Sequence, residues 1–195
     1  MSERMLLPET NIAIDRRRLF TRGARLALSG TTLALLTGIG GSVALRRANA
    51  AAMSADIDTL NVALGLEHEA IAAYQVGAES GLLKPDVLKV AVGFQGDHKQ
   101  HRDILAKTIG QLGGTAVADG KHKFPVEKLK TQADVLRFAL GLEMGAASAY
   151  LSTIPGFENR DLAKAAASIM GVETQHVAIL KSALGEAPIE NAFIM

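Results

Sequence analysis

The sequence predicts an all-α protein whose main domain is a four-helix bundle made of two similar helix hairpins. Ala and Leu, which favour helices, are abundant. The sequence contains no alternating run of β-branched residues bounded by hairpin turns. One helix-like motif occurs twice. With 195 residues, 48% of them hydrophobic, the chain is long enough for one domain with a buried core plus a targeting segment.

The first 50 residues differ from the rest in charge and predict an export signal. They carry eight arginines against three acidic residues, whereas residues 51–195 carry 13 basic and 17 acidic residues. Three arginines at 16–18 precede a moderately apolar run at 26–45, and an Ala-x-Ala cleavage sequence ends at Ala50. This order of regions is that of a signal peptide. We therefore expect a signal at 1–50, cleaved after Ala50, and a mature domain at 51–195.

The leader resembles bacterial twin-arginine signals, although Asp15 and the order Leu19-Phe20 depart from their usual pattern. The resemblance implies a periplasmic protein that the twin-arginine export machinery carries already folded, a route often used when a cofactor is loaded in the cytoplasm. The alternative is an uncleaved signal that anchors the protein in the membrane, because the apolar run is about long enough to span a bilayer.

Composition and motifs exclude several kinds of function. The absence of cysteine removes disulfides and thiolate metal sites. Residues 51–195 are net acidic, so we expect no nucleic-acid binding, which needs a clustered basic face. No glycine-rich phosphate loop and no G-x-S-x-G nucleophile motif is present. The chemistry is therefore expected from carboxylates, histidines and tyrosines on the helices.

Start and stop signals predict four helices after the leader. Pro85 is typical of a first helical turn, Thr131 and Asp134 form a weak capping box, and Gly185 ends the last helix. The helices are predicted at about residues 56–78, 85–112, 131–152 and 160–184. Short loops join the first pair and the second pair, whereas a segment of roughly 16–18 residues joins the pairs and is long enough to travel the bundle length. It predicts a crossover between parallel neighbouring helices.

A repeat relates the two predicted hairpins. Residues 63–74 (ALGLEHEAIAAY) match residues 139–150 (ALGLEMGAASAY) at eight of twelve positions, 76 residues apart. Residues 98–105 (HKQHRDIL) match residues 173–180 (ETQHVAIL) at four of eight positions, 75 residues apart. Chance similarity between Ala-rich helices does not easily explain why Glu, Tyr and His agree at nearly one offset. The two halves are therefore predicted to be copies of one helix pair.

The repeated polar residues are predicted to face the core. Glutamate and tyrosine are seven residues apart in each first helix, two turns along one apolar face. In the second helices, two polar residues three apart share a face. Buried carboxylates and imidazoles need compensation, and their oxygens and nitrogens suit Fe, Mn and Zn. The residues predicted as metal ligands are Glu67, His98, His101, Glu143, Glu173 and His176.

With this series, residues 55–184 resemble the ferritin-like superfamily, and within it the exported bacterial ferritin-like domain proteins. In that superfamily a Glu from each of two helices and a Glu-x-x-His pair from each of the other two hold a two-metal centre. The resemblance implies Fe or Mn as cofactor, one or two ions per chain. It also implies that Tyr74 and Tyr150 lie beside the site, as hydrogen-bond donors or electron sources.

The same resemblance implies a role for each ligand. Glu67 and Glu143 would be terminal carboxylates, and His101 and His176 would be terminal nitrogen ligands. Glu173 would bridge the two ions.

His98 departs from the pattern, because it stands where the second bridging glutamate is expected. Three carboxylates then face two dications, and a histidine cannot bridge as a carboxylate does. An asymmetric pair of ions, one weakly held ion and a single-ion site all stay open. Asp97 is an alternative to His98, because it lies four residues before His101 and a small helix rotation would bring it to the site. A bundle that keeps the scaffold without metal is a further alternative.

Three functions from different classes fit these residues. The first is a periplasmic metal-dependent oxidoreductase that reacts with O2 or peroxide, as a ferroxidase or a peroxide-consuming enzyme. The second is a non-catalytic bundle for stress protection or metal binding. The third is a structural bundle whose buried Glu and His form a satisfied polar network. The oligomeric state stays open, with a homodimer as one option.

Overall fold

The computed structural model describes residues 39–189 and 192–194. Within this part the chain forms no β-strand and four α-helices: α1 (Ile39–Glu79), α2 (Pro85–Gln111), α3 (Gln132–Thr153) and α4 (Arg160–Ala183). Short 3-10 turns occupy Val126–Lys128 and Ile154–Gly156. The chain divides into two compact units, residues 1–48 and 49–195, and the bundle lies in the second. The predicted all-α four-helix bundle is confirmed.

The start of α1 differs most from the sequence prediction. The helix already includes Ile39, the first described residue, instead of starting near residue 56, and it continues through the expected cleavage position after Ala50. Residues 48–56 are rich in Ala and contain no Gly or Pro, so nothing interrupts the helix. Residues 1–38 of the predicted signal lie outside the described residues, and export and cleavage stay predictions. In the described part of the chain, no helix is both long and apolar enough to cross a membrane.

The ends of the other helices agree with their sequence signals. The Thr131 side chain accepts from the backbone N of Asp134, and the Asp134 carboxylate accepts from the backbone N of Thr131, which completes the capping box. Gly113 and Gly185 follow α2 and α4 with φ angles of 80° and 77°, in the left-handed region that favours glycine.

The connection between α2 and α3 crosses the length of the bundle. Near its start, the carbonyl of Thr115 accepts a hydrogen bond from the Asn61 side chain on α1 (3.1 Å). Where it enters α3, the Gln132 side chain accepts from the backbone N of Lys84, just before α2 (2.9 Å). Because α2 and α3 start at the same end, they run parallel, and the predicted crossover is confirmed. At the opposite end, Asp56 accepts from the backbone N of Glu158, just before α4.

Two apolar clusters lie on either side of a layer of buried polar side chains. One cluster includes Leu64 and Leu105, and the other includes Tyr74 and Phe94. Along α1 and α2, the predicted ligands stand between residues of the two clusters, and the same order holds along α3 and α4. The polar layer is therefore surrounded by apolar packing above and below.

Candidate metal centre

All four helices contribute side chains to the polar layer, and the structure brings the six predicted ligands together. The first helix of each hairpin supplies one glutamate, and the second supplies two residues three positions apart. Five of the six are at most 2% exposed, namely Glu67, His98, Glu143, Glu173 and His176. The side chain of His101 is 13% exposed.

The six side chains form two overlapping groups in which possible ligand atoms converge. The first ligand group consists of Glu67, His98, His101 and Glu173, and the second consists of His98, Glu143, Glu173 and His176. In each group, one atom from every residue lies within 4.8 Å of the others. His98 and Glu173 belong to both groups, so they stand at the centre of the site.

The His98 ring lies between the glutamates of the two hairpins. Its Nδ1 is 2.8 Å from Glu67 Oε2, and its Nε2 is 3.2 Å from Glu143 Oε1. Asp97, the alternative to His98, belongs to neither group, and its side chain is 44% exposed. Its Oδ2 lies 3.3 Å from Nε2 of His176, the ring nitrogen on the side away from Glu143 and Glu173. Asp97 is therefore placed to orient His176 and not to replace His98.

Glu173 has an environment that a metal ion would explain. It is fully buried, and its Oε1 lies 3.1 Å from His101 Nδ1 while its Oε2 lies 3.4 Å from His176 Nδ1. Within the described part of the chain, neither oxygen has a hydrogen-bond partner, and neither does His101 Nδ1. Ion pairs with the two imidazoles offset its charge, but a buried carboxylate whose oxygens accept no hydrogen bond is still unfavourable. Divalent ions placed between these oxygens and nitrogens would remove that cost, so the donor set fits a carboxylate–histidine metal centre.

The two predicted tyrosines lie beside the site, and each contacts the glutamate of the opposite hairpin. Tyr150 Oη donates to Glu67 Oε1 at 2.7 Å, and Tyr74 Oη donates to Glu143 Oε1. Burial and the adjacent carboxylates raise the pKa of both phenols, which therefore stay protonated as donors. Such donors fix the orientation of carboxylates that face a metal.

The charges of the site balance without a metal. Burial opposes the charged form of His98, but Glu143 and Glu67 outweigh it and raise its pKa to about 10. The pKa values of His101 and His176 rise to about 9 in the same way. Burial alone would raise the pKa of Glu67, yet hydrogen bonds to the histidines bring it below its usual value. Imidazolium groups therefore neutralise carboxylates in the metal-free protein.

Two contacts of His176 were not predicted from the sequence. One is the Asp97 contact described above. The other is Phe94, whose ring stacks on the His176 ring with centroids 3.9 Å apart. The spacing of Phe94, four residues before His98, placed it on the same helix face. The spacing gave no indication of which imidazole it would cover, because that depends on how α2 packs against α4.

The chain is similar to ferritin-like proteins in two kinds of comparison. Residues 55–186 match the family model of the ferritin-like domain. A solved structure of a conserved hypothetical protein, rv2844, from Mycobacterium tuberculosis is 27% identical with a TM-score of 0.62, and the match covers 72% of this chain and 97% of that one. A structure described as ferritin like, diiron-carboxylate proteins, from Bacillus anthracis str. Ames, is 21% identical with a TM-score of 0.60, covering 68% and 97%. A comparison with curated proteins finds no match.

Proposed function

The chain belongs to the ferritin-like domain family, and on that premise we propose that it binds one or two Fe or Mn ions between its four helices and supports redox chemistry with O2 or peroxide. The observation that carries this proposal is Glu173, a fully buried carboxylate whose oxygens face His101 and His176 without hydrogen bonds. The basic leader supports export to the periplasm, as part of the same proposal.

The two ligand groups would supply different terminal ligands to the ions. Glu67 and His101 would be terminal ligands in the first group, and Glu143 and His176 in the second. Glu173 would serve both groups, because Oε1 faces His101 of the first group and Oε2 faces His176 of the second. When bound, Fe or Mn would supply the electron transfer to O2 or peroxide. The protein side chains bind, orient and exclude water.

His98 makes the two groups unequal. A neutral imidazole carries one N–H and one nitrogen lone pair, so it coordinates through one nitrogen only. Its second nitrogen then donates to the glutamate of the other group, since both Glu67 and Glu143 are within reach. Four protein side chains would therefore hold one ion, and three would hold the other. The less complete group would be the one open to an oxidant.

Protons must leave the site when the metal enters. The histidines are held as imidazolium by their carboxylate neighbours, with pKa values of about 9 to 10. A nitrogen that coordinates a metal cannot keep its proton. Metal binding at neutral pH should therefore release protons and weaken as the pH falls.

The proposal is tested by metal analysis of the full-length chain, expressed with its leader and purified without chelator. We expect one to two Fe or Mn ions per chain, measured by mass spectrometry of the elements. Glu173→Gln should lose this metal, whereas Glu69→Gln, on α1 but outside both ligand groups, should retain it. Circular dichroism checks that both variants fold.

Two outcomes would revise the proposal. A wild-type chain that holds no metal even after reconstitution with Fe(II) or Mn(II) would overturn it and favour a structural polar network. A chain that binds metal but consumes neither O2 nor peroxide when Fe(II) is added would limit the function to metal binding.

A further inference from the structure

An apolar cavity of about 200 Å³ lies next to the metal centre, at the end of the bundle where α2 and α3 begin. All four helices line it. Among the described residues of the lining, Asp86 is the only charged one. Val90 and Ile179 line it as well, although they are 41% and 46% exposed, so the cavity opens to solvent between α2 and α4. A lining with so few polar atoms offers water too few hydrogen-bond partners.

Two aromatic rings form the wall between the cavity and the metal ligands. Tyr74 lines the cavity and donates its hydroxyl hydrogen to Glu143. Phe94 also lines the cavity, and its ring stacks on the imidazole of His176. A molecule in the cavity would therefore lie one ring away from two residues of the second ligand group.

The other hairpin shows that the fold does not require a cavity of this size. The equivalent place beside Tyr150 holds only about 40 Å³, although its lining includes counterparts of the same residues. Thr153 stands there in place of Gly77, and Thr108 stands in place of Ala183. Phe157 adds a ring that has no counterpart at the larger cavity. The duplicated scaffold is thus filled on one side and open on the other.

We propose that the larger cavity binds a small uncharged hydrocarbon-like molecule, of the size of a single aromatic ring or a short alkyl chain, beside Tyr74. An apolar cavity of about 150 Å³ is sufficient for benzene, so about 200 Å³ accommodates a molecule of this class. Binding does not require the metal. Only the significance of a ligand next to the metal centre rests on the proposed function.

The test measures binding of fluorobenzene to the full-length chain by ¹⁹F NMR, with methyl-labelled protein to locate the probe. We expect saturable binding, with methyl shifts concentrated on cavity residues such as Val87 and Leu180. Ala91→Leu and Ala139→Leu fill the cavity from different helices and should each weaken binding by about tenfold or more, roughly the loss of 1.4 kcal/mol. Ala165→Leu adds the same volume beside the smaller cavity and should leave binding unchanged.

This binding test requires neither bound metal nor an activity assay. No saturable binding to the wild type, or methyl shifts spread over the surface, would overturn the proposal even if both filled variants failed to fold. Equal affinity in wild type and folded Ala91→Leu would overturn it too. The metal-free Glu173→Gln variant should bind the probe as the wild type does, so failure of the metal proposal and failure of this one are separate results.

Discussion

The two hairpins of the bundle carry the same glutamate, tyrosine and terminal histidine, yet they build unequal halves of the site. Glu67 and Glu143 are equivalent, and each accepts a hydrogen bond from the tyrosine of the other hairpin. At the central position, however, α2 has His98 and α4 has Glu173. The glutamates, the tyrosines and the outer histidines are thus alike in both halves, whereas the residues shared by both ligand groups differ.

The surroundings of the terminal histidines differ as well. His176 is stacked on Phe94 and contacts Asp97. The positions equivalent to Phe94 and Asp97, 75 residues further along the chain, are the ones expected beside His101, and they hold Ile169 and Val172. The side chain of His101 is also more exposed than that of His176, at 13% against 3%. Because the second ligand group is better ordered before metal arrives, we expect it to bind the first ion.

The substitution His98→Glu should remove the central difference and have the largest effect. It supplies the second bridging carboxylate and gives four carboxylates against two dications. We expect the metal content to become two ions per chain, with similar affinity in both groups, as measured by Mn titration and electron paramagnetic resonance. His98→Gln is the control of similar size without added charge, and it should lower the metal content. If His98→Glu binds no more metal than the wild type, His98 does not limit the second ion.

The pH dependence of stability should separate the metal-free and metal-loaded forms. In the metal-free fold, the pKa of His98 is raised from 6.5 to about 10, and those of His101 and His176 to about 9. Because the folded values exceed the unfolded ones, this stabilisation is complete below pH 6.5 and disappears as the pH rises through 9 to 10. Thermal unfolding should therefore show Tm of the metal-free form falling over that range.

The Mn-loaded protein is the matched reference for that measurement. Its coordinating nitrogens hold no proton, so the alkaline loss of stability from these histidines should be absent. The difference in Tm between the two forms should widen from pH 6.5 to 10. Parallel curves would show that the histidines are not held as imidazolium by the carboxylates.

Much of the site was predictable because helical periodicity fixes which residues share a face. The spacing of seven between Glu67 and Tyr74, and of three between Glu173 and His176, places each pair on one side of a helix. Periodicity does not specify which residues meet across helices. The exchange of tyrosines between hairpins and the contact between Asp97 and His176 depend on how the helices pack. The extension of α1 before residue 56 was missed because the Ala-rich segment there gives no boundary signal.

Asp97→Ala should affect one ligand group only. It removes the carboxylate beside Nε2 of His176, and the loss of such a supporting contact typically weakens metal affinity about 10- to 100-fold. We expect this loss for the second group and no change for the first, in a two-step Mn titration of the His98→Glu background, which is expected to bind two ions. Asp103→Ala, on the same helix but paired with Arg102 at the surface, is the matched control. Equal weakening of both steps would contradict the assignment of Asp97 to His176.

The smallest expected difference is between Tyr150→Phe and Tyr74→Phe, although the residues are equivalent in the repeat. Glu143 Oε1 accepts from Tyr74 and also faces His98 Nε2 at 3.2 Å, so it keeps a partner when the Tyr74 hydroxyl is removed. Glu67 uses Oε1 for Tyr150, whereas His98 and His101 face its Oε2. Removing the Tyr150 hydroxyl therefore leaves a buried oxygen unpaired.

An unpaired buried acceptor costs about 1–3 kcal/mol, whereas loss of one of two hydrogen bonds costs about 0.5–1.5 kcal/mol. Urea unfolding of the metal-free protein should therefore show Tyr150→Phe as the more destabilising change. The double variant should depart from additivity, because His98 contacts both Glu67 and Glu143 and so joins the two hydroxyls in one hydrogen-bond network. Equal losses of stability would mean that His98 Nε2 does not serve as a partner for Glu143 Oε1 once the Tyr74 hydroxyl is removed. A larger loss of stability for Tyr74→Phe would mean the opposite asymmetry. Glu67 Oε1 would then keep a hydrogen-bond partner after loss of the tyrosine hydroxyl, and Glu143 Oε1 would not.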